Sequence, residues 1–135
     1  MSTLHSALNA VVIAILCVAA YFFIAGAREP VAPPSDPWFQ TAVVNRHEPV
    51  LVKFGANWCG PCRMMESELH HFSAKHGGRV GVVQVDVDQH PQLAQHYGVS
   101  SIPRLMLFQN GQVVADRVGF MNAEQLNDWT RSNGL

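Results

Sequence analysis

Two cysteines with two residues between them, Cys59-Gly60-Pro61-Cys62, stand where one chain periodicity gives way to another. Before them runs Val50-Leu51-Val52-Lys53-Phe54, apolar except for Lys53, which reads as a central strand over residues 50–56. After them Met64, Met65, Leu69 and Phe72 recur at helical spacing, predicting a long helix from Cys59 to about Lys75. A strand therefore delivers two thiols to the first turn of a helix. The first N–H groups of a helix lack intrahelical partners, and the helix dipole adds partial positive charge there. Both effects favour a thiolate, so Cys59 is expected to be a better nucleophile than an ordinary cysteine. Cys62 lies close enough to close a disulfide onto Cys59 after Cys59 attacks a substrate disulfide. Gly60 lets another backbone approach the sulfurs, and Pro61 fits a first turn in which no N–H is needed.

The competing readings are a structural disulfide or half of a zinc site. A zinc ribbon needs a second Cys or His pair at matching spacing, and none follows. The third cysteine, Cys17, lies far upstream in an apolar run. Of the seven histidines, His70-His71 with His76 invite a metal hypothesis. Adjacent helical residues point about 100° apart and do not share an ion easily. No metal and no bound organic cofactor is expected.

At 135 residues the chain has room for one compact domain and an extension. A net charge of -1 gives no reason to invoke nucleic acid. Only 14% of residues are charged, and the deficit is concentrated near the N-terminus. Behind a short tail, residues 1–9, residues 10–27 carry no charge and no strongly polar side chain. As a helix they rise about 27 Å, the thickness of a bilayer's hydrocarbon core, and read as a transmembrane anchor. Ala25-Gly26-Ala27 also fits a signal-peptidase site, so secretion after cleavage near Ala27 is the alternative. Bulky Leu16 before Cys17 argues against a lipoprotein signal, leaving Cys17 as a small apolar residue within the membrane. The flanking charges, His5 upstream and Arg28-Glu29 downstream, orient the segment only weakly.

Residues 28–36 are a proline-rich, semi-rigid tether, and residues 37–135 are the domain proper. Ser35 or Asp36 caps a helix with Pro37 in its first turn, whose buried face is expected to comprise Trp38, Phe39, Ala42 and Val43. Gly77-Gly78 ends the cysteine-led helix. A β-branched run between Arg79 and Val87 has the composition of a buried strand. His90-Pro91 opens a short helix that Gly98 stops. Two strands, 105–108 and 113–118, are joined by Asn110-Gly111, a strong hairpin signal, and Asn122 caps a last helix. The order α-β-α-β-α-β-β-α predicts an α/β fold, a central mixed sheet flanked by helices.

Three stretches give the chain a family resemblance. They are Phe54 to Met64 around the cysteines, Asp86-Val87-Asp88-Gln89-His90-Pro91, and Ile102-Pro103-Arg104-Leu105-Met106-Leu107-Phe108-Gln109-Asn110-Gly111. In this order and spacing, residues 50–119 resemble the thioredoxin family, with weaker similarity to Leu135. The resemblance implies the thioredoxin fold and a cis peptide before Pro103, where composition alone would give a trans turn proline. It places that loop beside the thiols, with the Ile102 backbone free to pair with an extended substrate segment. Trp58 reads as an apolar contact surface beside the site rather than as core, and Gly119 either matches the family's glycine that lets partners approach or is a simple turn glycine.

The chain departs from the family at five points. The proline tether occupies the place of the usual first strand, which is expected to be absent or vestigial. Ser67 replaces a proline that commonly kinks the helix. Arg104 stands where a small Thr is usual, either as a solvated strand residue or as a charge that stabilises the thiolate or favours acidic partners. Lys53 stands where the family has a buried Asp that manages the proton of the second cysteine, and Gln84 replaces the Lys often paired with it. Lys53 would favour a nearby thiolate as an ammonium, accept a proton if desolvated, or snorkel to solvent and take no part.

The sequence thus predicts a membrane-anchored, monomeric thiol–disulfide oxidoreductase. Its substrates would be protein disulfides and its electrons would come from an unidentified donor protein. The Gly-Pro dipeptide resembles the family's reducing members, so reduction is the expected direction. The alternatives are a disulfide-forming or isomerising enzyme, and a non-catalytic thioredoxin-like module that binds a client. Family members behind a single apolar segment usually work outside the bacterial cytoplasm, which places the domain on the periplasmic or outer face of the inner membrane.

Overall fold

The computed structural model describes residues 12–17 and 34–135, and the chain divides into two units, Met1–Pro30 and Val31–Leu135. Within the first unit, residues 12–17 are helical. Most of the expected anchor, the site near Ala27 and the start of the tether lie outside the described residues. Among those described, no helix is long and apolar enough to cross a membrane.

In the second unit α1, Pro37–Phe39, opens at Asp36, whose carboxylate accepts the Phe39 N–H at 2.9 Å. It runs directly into a π-helical segment, Gln40–Val44. Phe39 and Val43 are buried, but Trp38 is 44% exposed and stacks on His90 with ring centroids 5.0 Å apart. The expected inward-facing Trp38 is thus corrected. Neighbouring helical residues point about 100° apart, and Phe39 takes the inner direction.

The remaining elements are β1 (Val50–Gly55), α2 (Gly60–His76), β2 (Gly81–Asp86), α3 (Pro91–His96), β3 (Arg104–Gln109), β4 (Gln112–Val118) and α4 (Ala123–Ser132). The strands form one mixed sheet in the order β2-β1-β3-β4. β1 runs parallel to β2 and antiparallel to β3, and β3 pairs antiparallel with β4. Central β1 is buried along its whole length, as its apolar run predicts. The valine-rich β2 is only partly buried. It is an edge strand, and residues 34–36, the described part of the place where the family's first strand would lie, form no strand beside it.

Alternation along β1 sends successive side chains to opposite faces. Leu51 joins Met65, Leu69 and Phe72 of α2 and Leu126 of α4 on one face. Val50, Val52 and Phe54 join Phe39, Val43 and Leu93 on the other. Lys53 shares the α2 face with Leu51, which brings it under the first turns of that helix. Polar contacts fix α4 against α2: Glu68 accepts the Ala123 N–H at 2.8 Å, and His76 Nε2 lies 2.8 Å from Asn127 Oδ1. The helix α2 ends as predicted, with Gly77 in the left-handed conformation (φ 56°). Ser67, where the family's kinking proline falls, sits within its 17 residues and donates back to the Met64 carbonyl at 3.0 Å.

Candidate active site

The end of β1, the turn that follows it and the first turn of α2 together place the two sulfurs. After Gly55 the chain turns through a Cys59 N–H to Ala56 carbonyl bond of 3.1 Å. Cys59 then takes extended φ/ψ as the N-cap of α2, and its Sγ accepts the Cys62 N–H at 3.3 Å. A cap is where a helix needs an acceptor, and here sulfur supplies it. Gly60 and Pro61 fill the first two helical positions, where no intrahelical donor is required. Cys59 and Cys62 are joined as a disulfide with Cα atoms 5.2 Å apart. Cys17 takes no part in it.

Burial distinguishes the two sulfurs. Cys62 is wholly enclosed, whereas Cys59 keeps a small exposed surface. An incoming disulfide therefore meets Cys59 first. The half-buried Ile102 packs against the cysteines and Ala56. The Ile102–Pro103 peptide is cis, and the Gly119 N–H donates to the Pro103 carbonyl at 2.8 Å, which ties the end of β4 to that loop. Gly119 has φ 105°, which favours glycine, and a Cβ there would meet nothing within 4 Å. Nothing lies within 4 Å of a Cβ on Gly60 either. Beside the sulfurs Trp58 is 70% exposed, and its indole Nε1 donates to Asp88 at 2.9 Å. Asp88 is in turn positioned by its own N–H, which donates to Asp86 Oδ1 at 2.9 Å.

Lys53 and Arg104, the cations singled out in the sequence, are placed differently. Lys53 is only 4% exposed, and its Nζ donates to the Cys62 carbonyl at 3.4 Å and pairs with Glu66 at 3.3 Å. Gln84 is its register partner on β2. Arg104 follows the cis peptide but is directed elsewhere. Its guanidinium grips Asp116 of β4 through Nε at 2.8 Å and through a second nitrogen, and donates to the Gly98 carbonyl at 2.7 Å. The Asp116 hydrogen bond pushes Arg104 to hold its proton still more firmly, against a smaller opposing effect of burial. Among the described residues, no three His, Cys, Asp or Glu side chains are grouped to hold a metal ion.

The sequence alone singles out neither Glu66 nor Asp88 as part of the site. Glu66 carries a signal in its spacing, because residues four apart on a helix share a face and Cys62 is its partner. The bond between Asp88 and Trp58 spans 30 residues and has no local signal.

Comparison with known proteins agrees with this geometry. The thioredoxin family model matches residues 31–132. The chain is similar to a thioredoxin of Alicyclobacillus acidocaldarius, 42% identical over 92 residues that cover 68% of this chain and 87% of that one. A thioredoxin of Rhodospirillum rubrum is 36% identical over 99 residues, 73% of this chain and 95% of its own. Mitochondrial thioredoxin of Mus musculus is 43% identical over 90 residues, 67% of this chain and 54% of its own. With the fold and the paired cysteines described above, these matches establish that the chain belongs to the thioredoxin family and is a thiol–disulfide oxidoreductase.

Proposed function

We propose that this chain is a membrane-tethered reductase of protein disulfides whose catalytic domain works outside the bacterial cytoplasm. The observation that carries the chemistry is Cys59 as the N-cap of α2, with its sulfur accepting the Cys62 N–H at 3.3 Å. The same N–H stabilises the Cys59 thiolate in the reduced protein. That thiolate attacks a substrate disulfide, forming a mixed disulfide and releasing one substrate thiolate. Cys62 then attacks Cys59 Sγ, the mixed bond breaks, and the second substrate thiolate leaves. Two electrons have passed to substrate, and a donor protein must return them.

Substrate docks as an extended segment along the Ile102 backbone, held by strand-like hydrogen bonds before Pro103. Trp58 supplies apolar contact, and Gly60 and Gly119 leave room for the approaching chain. Pro61 fixes the first turn of α2. Lys53, enclosed beside Cys62, is the residue that tunes the thiols, because Arg104 is engaged by Asp116 and Gly98. The apolar, uncharged residues 10–27 and the proline-rich stretch after them support the tether. Alkaline carbonate extraction and protease protection in intact cells test that part, and a carbonate-soluble chain would refute the anchor.

The reaction direction is tested by equilibrating the full chain with dithiothreitol and glutathione buffers. A potential as low as ordinary thioredoxins' is expected. A potential well above it would refute reduction and indicate disulfide formation, a direction that a cation beside Cys62 also favours. Cys59→Ser should abolish turnover in either direction.

A further inference from the structure

Behind the disulfide the fold brings together a cation and a carboxylate that packing alone does not require. β1 is otherwise apolar and fully buried, yet at its centre it carries Lys53. Burying an ammonium is unfavourable unless it is paired and hydrogen-bonded. Here its partners are the Cys62 carbonyl and Glu66. Lys53 Cε and Cys62 Sγ lie 3.1 and 3.2 Å from the point a Cβ on Gly55 would occupy, so the lysine stem and the inner sulfur share one glycine wall. Glu66 follows Cys62 by one helical turn and is half exposed. A cleft of about 110 Å³, lined by Lys53, Gly55, Glu66, Gln84 and Asp86 among others, gives the pair room for several waters.

We propose that Glu66 is a positioning residue for the second half of the reaction: through its ion pair with Lys53 it sets how readily the Cys62 thiol gives up its proton. This rests on the reading of the chain as a dithiol reductase. In that step the Cys62 thiol releases its proton to water, and its sulfur forms a bond to Cys59 Sγ. The Cys59–substrate bond breaks, and the substrate sulfur leaves with the electron pair and takes a proton from water. The Lys53 ammonium, presented from β1, favours the Cys62 thiolate. Glu66, presented from α2, offsets part of that charge, and Asp86 at the end of β2 adds to the offset from the cleft's far lining. Unit charges a few ångströms apart in a partly buried site couple strongly enough to move a titration by about one pH unit, a tenfold change in thiolate fraction.

The test is the 13Cβ resonance of Cys62 in the reduced full chain, labelled at cysteine and titrated by NMR. Glu66→Gln removes the offset and should lower the Cys62 midpoint by about one pH unit. Lys53→Met should raise it, and Glu66→Asp, which keeps the charge, should leave it near the unmodified value. The opposite signs matter, because a merely structural role would move both variants the same way. A Glu66→Gln midpoint that is unchanged, or that rises with Lys53→Met, overturns the proposal. Should Lys53→Met fail to fold, the Glu66→Gln and Glu66→Asp pair decides alone. Turnover of a protein disulfide with dithiothreitol is measured on the same samples. No turnover in the unmodified chain would overturn the reductase reading, while turnover with an unmoved midpoint would overturn only the role of Glu66.

Discussion

Alanine at Gly111 should destabilise the domain by about 3 kcal/mol, and the structure separates that cost into two parts. Asn110 and Gly111 form the β3–β4 hairpin turn with φ of 49° and 74°, the pair of positive values that a type I′ turn requires. A side chain in left-handed backbone costs about 1 kcal/mol. At Gly111 a Cβ would also stand 2.7 Å from the Val44 carbonyl oxygen and 3.1 Å from Val44 Cγ1. Val44 closes the π-helical segment anchored by buried Val43 and cannot recede freely, so overpacking adds about 2 kcal/mol. Gly78 isolates the first part, with φ 82° and nothing within 4 Å of a Cβ, so Gly78→Ala should cost only about 1 kcal/mol. Gly60 has neither handicap, and Gly60→Ala should stabilise by about 0.5 kcal/mol through the unfolded chain. Urea unfolding of the oxidised full chain, followed by circular dichroism at constant slope, measures all three. Equal losses at Gly78 and Gly111 would refute the clash with Val44.

Asp88→Ala frees the Trp58 indole, which is otherwise held at 2.9 Å. Stability should change by no more than about 1 kcal/mol, while kcat/KM on a protein disulfide falls several-fold; an unchanged kcat/KM would show that the tryptophan needs no positioning. Burial pushes the Tyr97 phenol up to about 12, so the folded state keeps this proton at a pH where the unfolded chain, near 10, has lost it. The contribution is therefore present below about pH 10 and is lost as pH rises through about 12. Tyr97→Phe should decline less in denaturation midpoint between about pH 9 and 11.5 than the unmodified chain, and an identical decline would refute the assignment.

The sequence alone determined the elements whose causes are local. β1 and α2 follow from a switch between apolar run and helical spacing around the cysteines, α2 ends at Gly77 for want of a Cβ, and the hairpin follows from Asn110-Gly111. The redox pair was equally legible, because a thiol at a helix N-cap needs only neighbouring residues to acquire its character. Tertiary structure decided what depends on residues far apart in the chain. It made β2 an edge strand and therefore half-exposed despite its valines, and it turned Trp38 outward onto His90. It drew Arg104 to Asp116 and Gly98, and it set Asp88 under Trp58. It also placed Lys53 between Cys62 and Glu66, a contact in which a strand and a helix meet across the face of the sheet. Where a charge finds its partner is a property of packed layers, and only the folded chain brings those layers into contact.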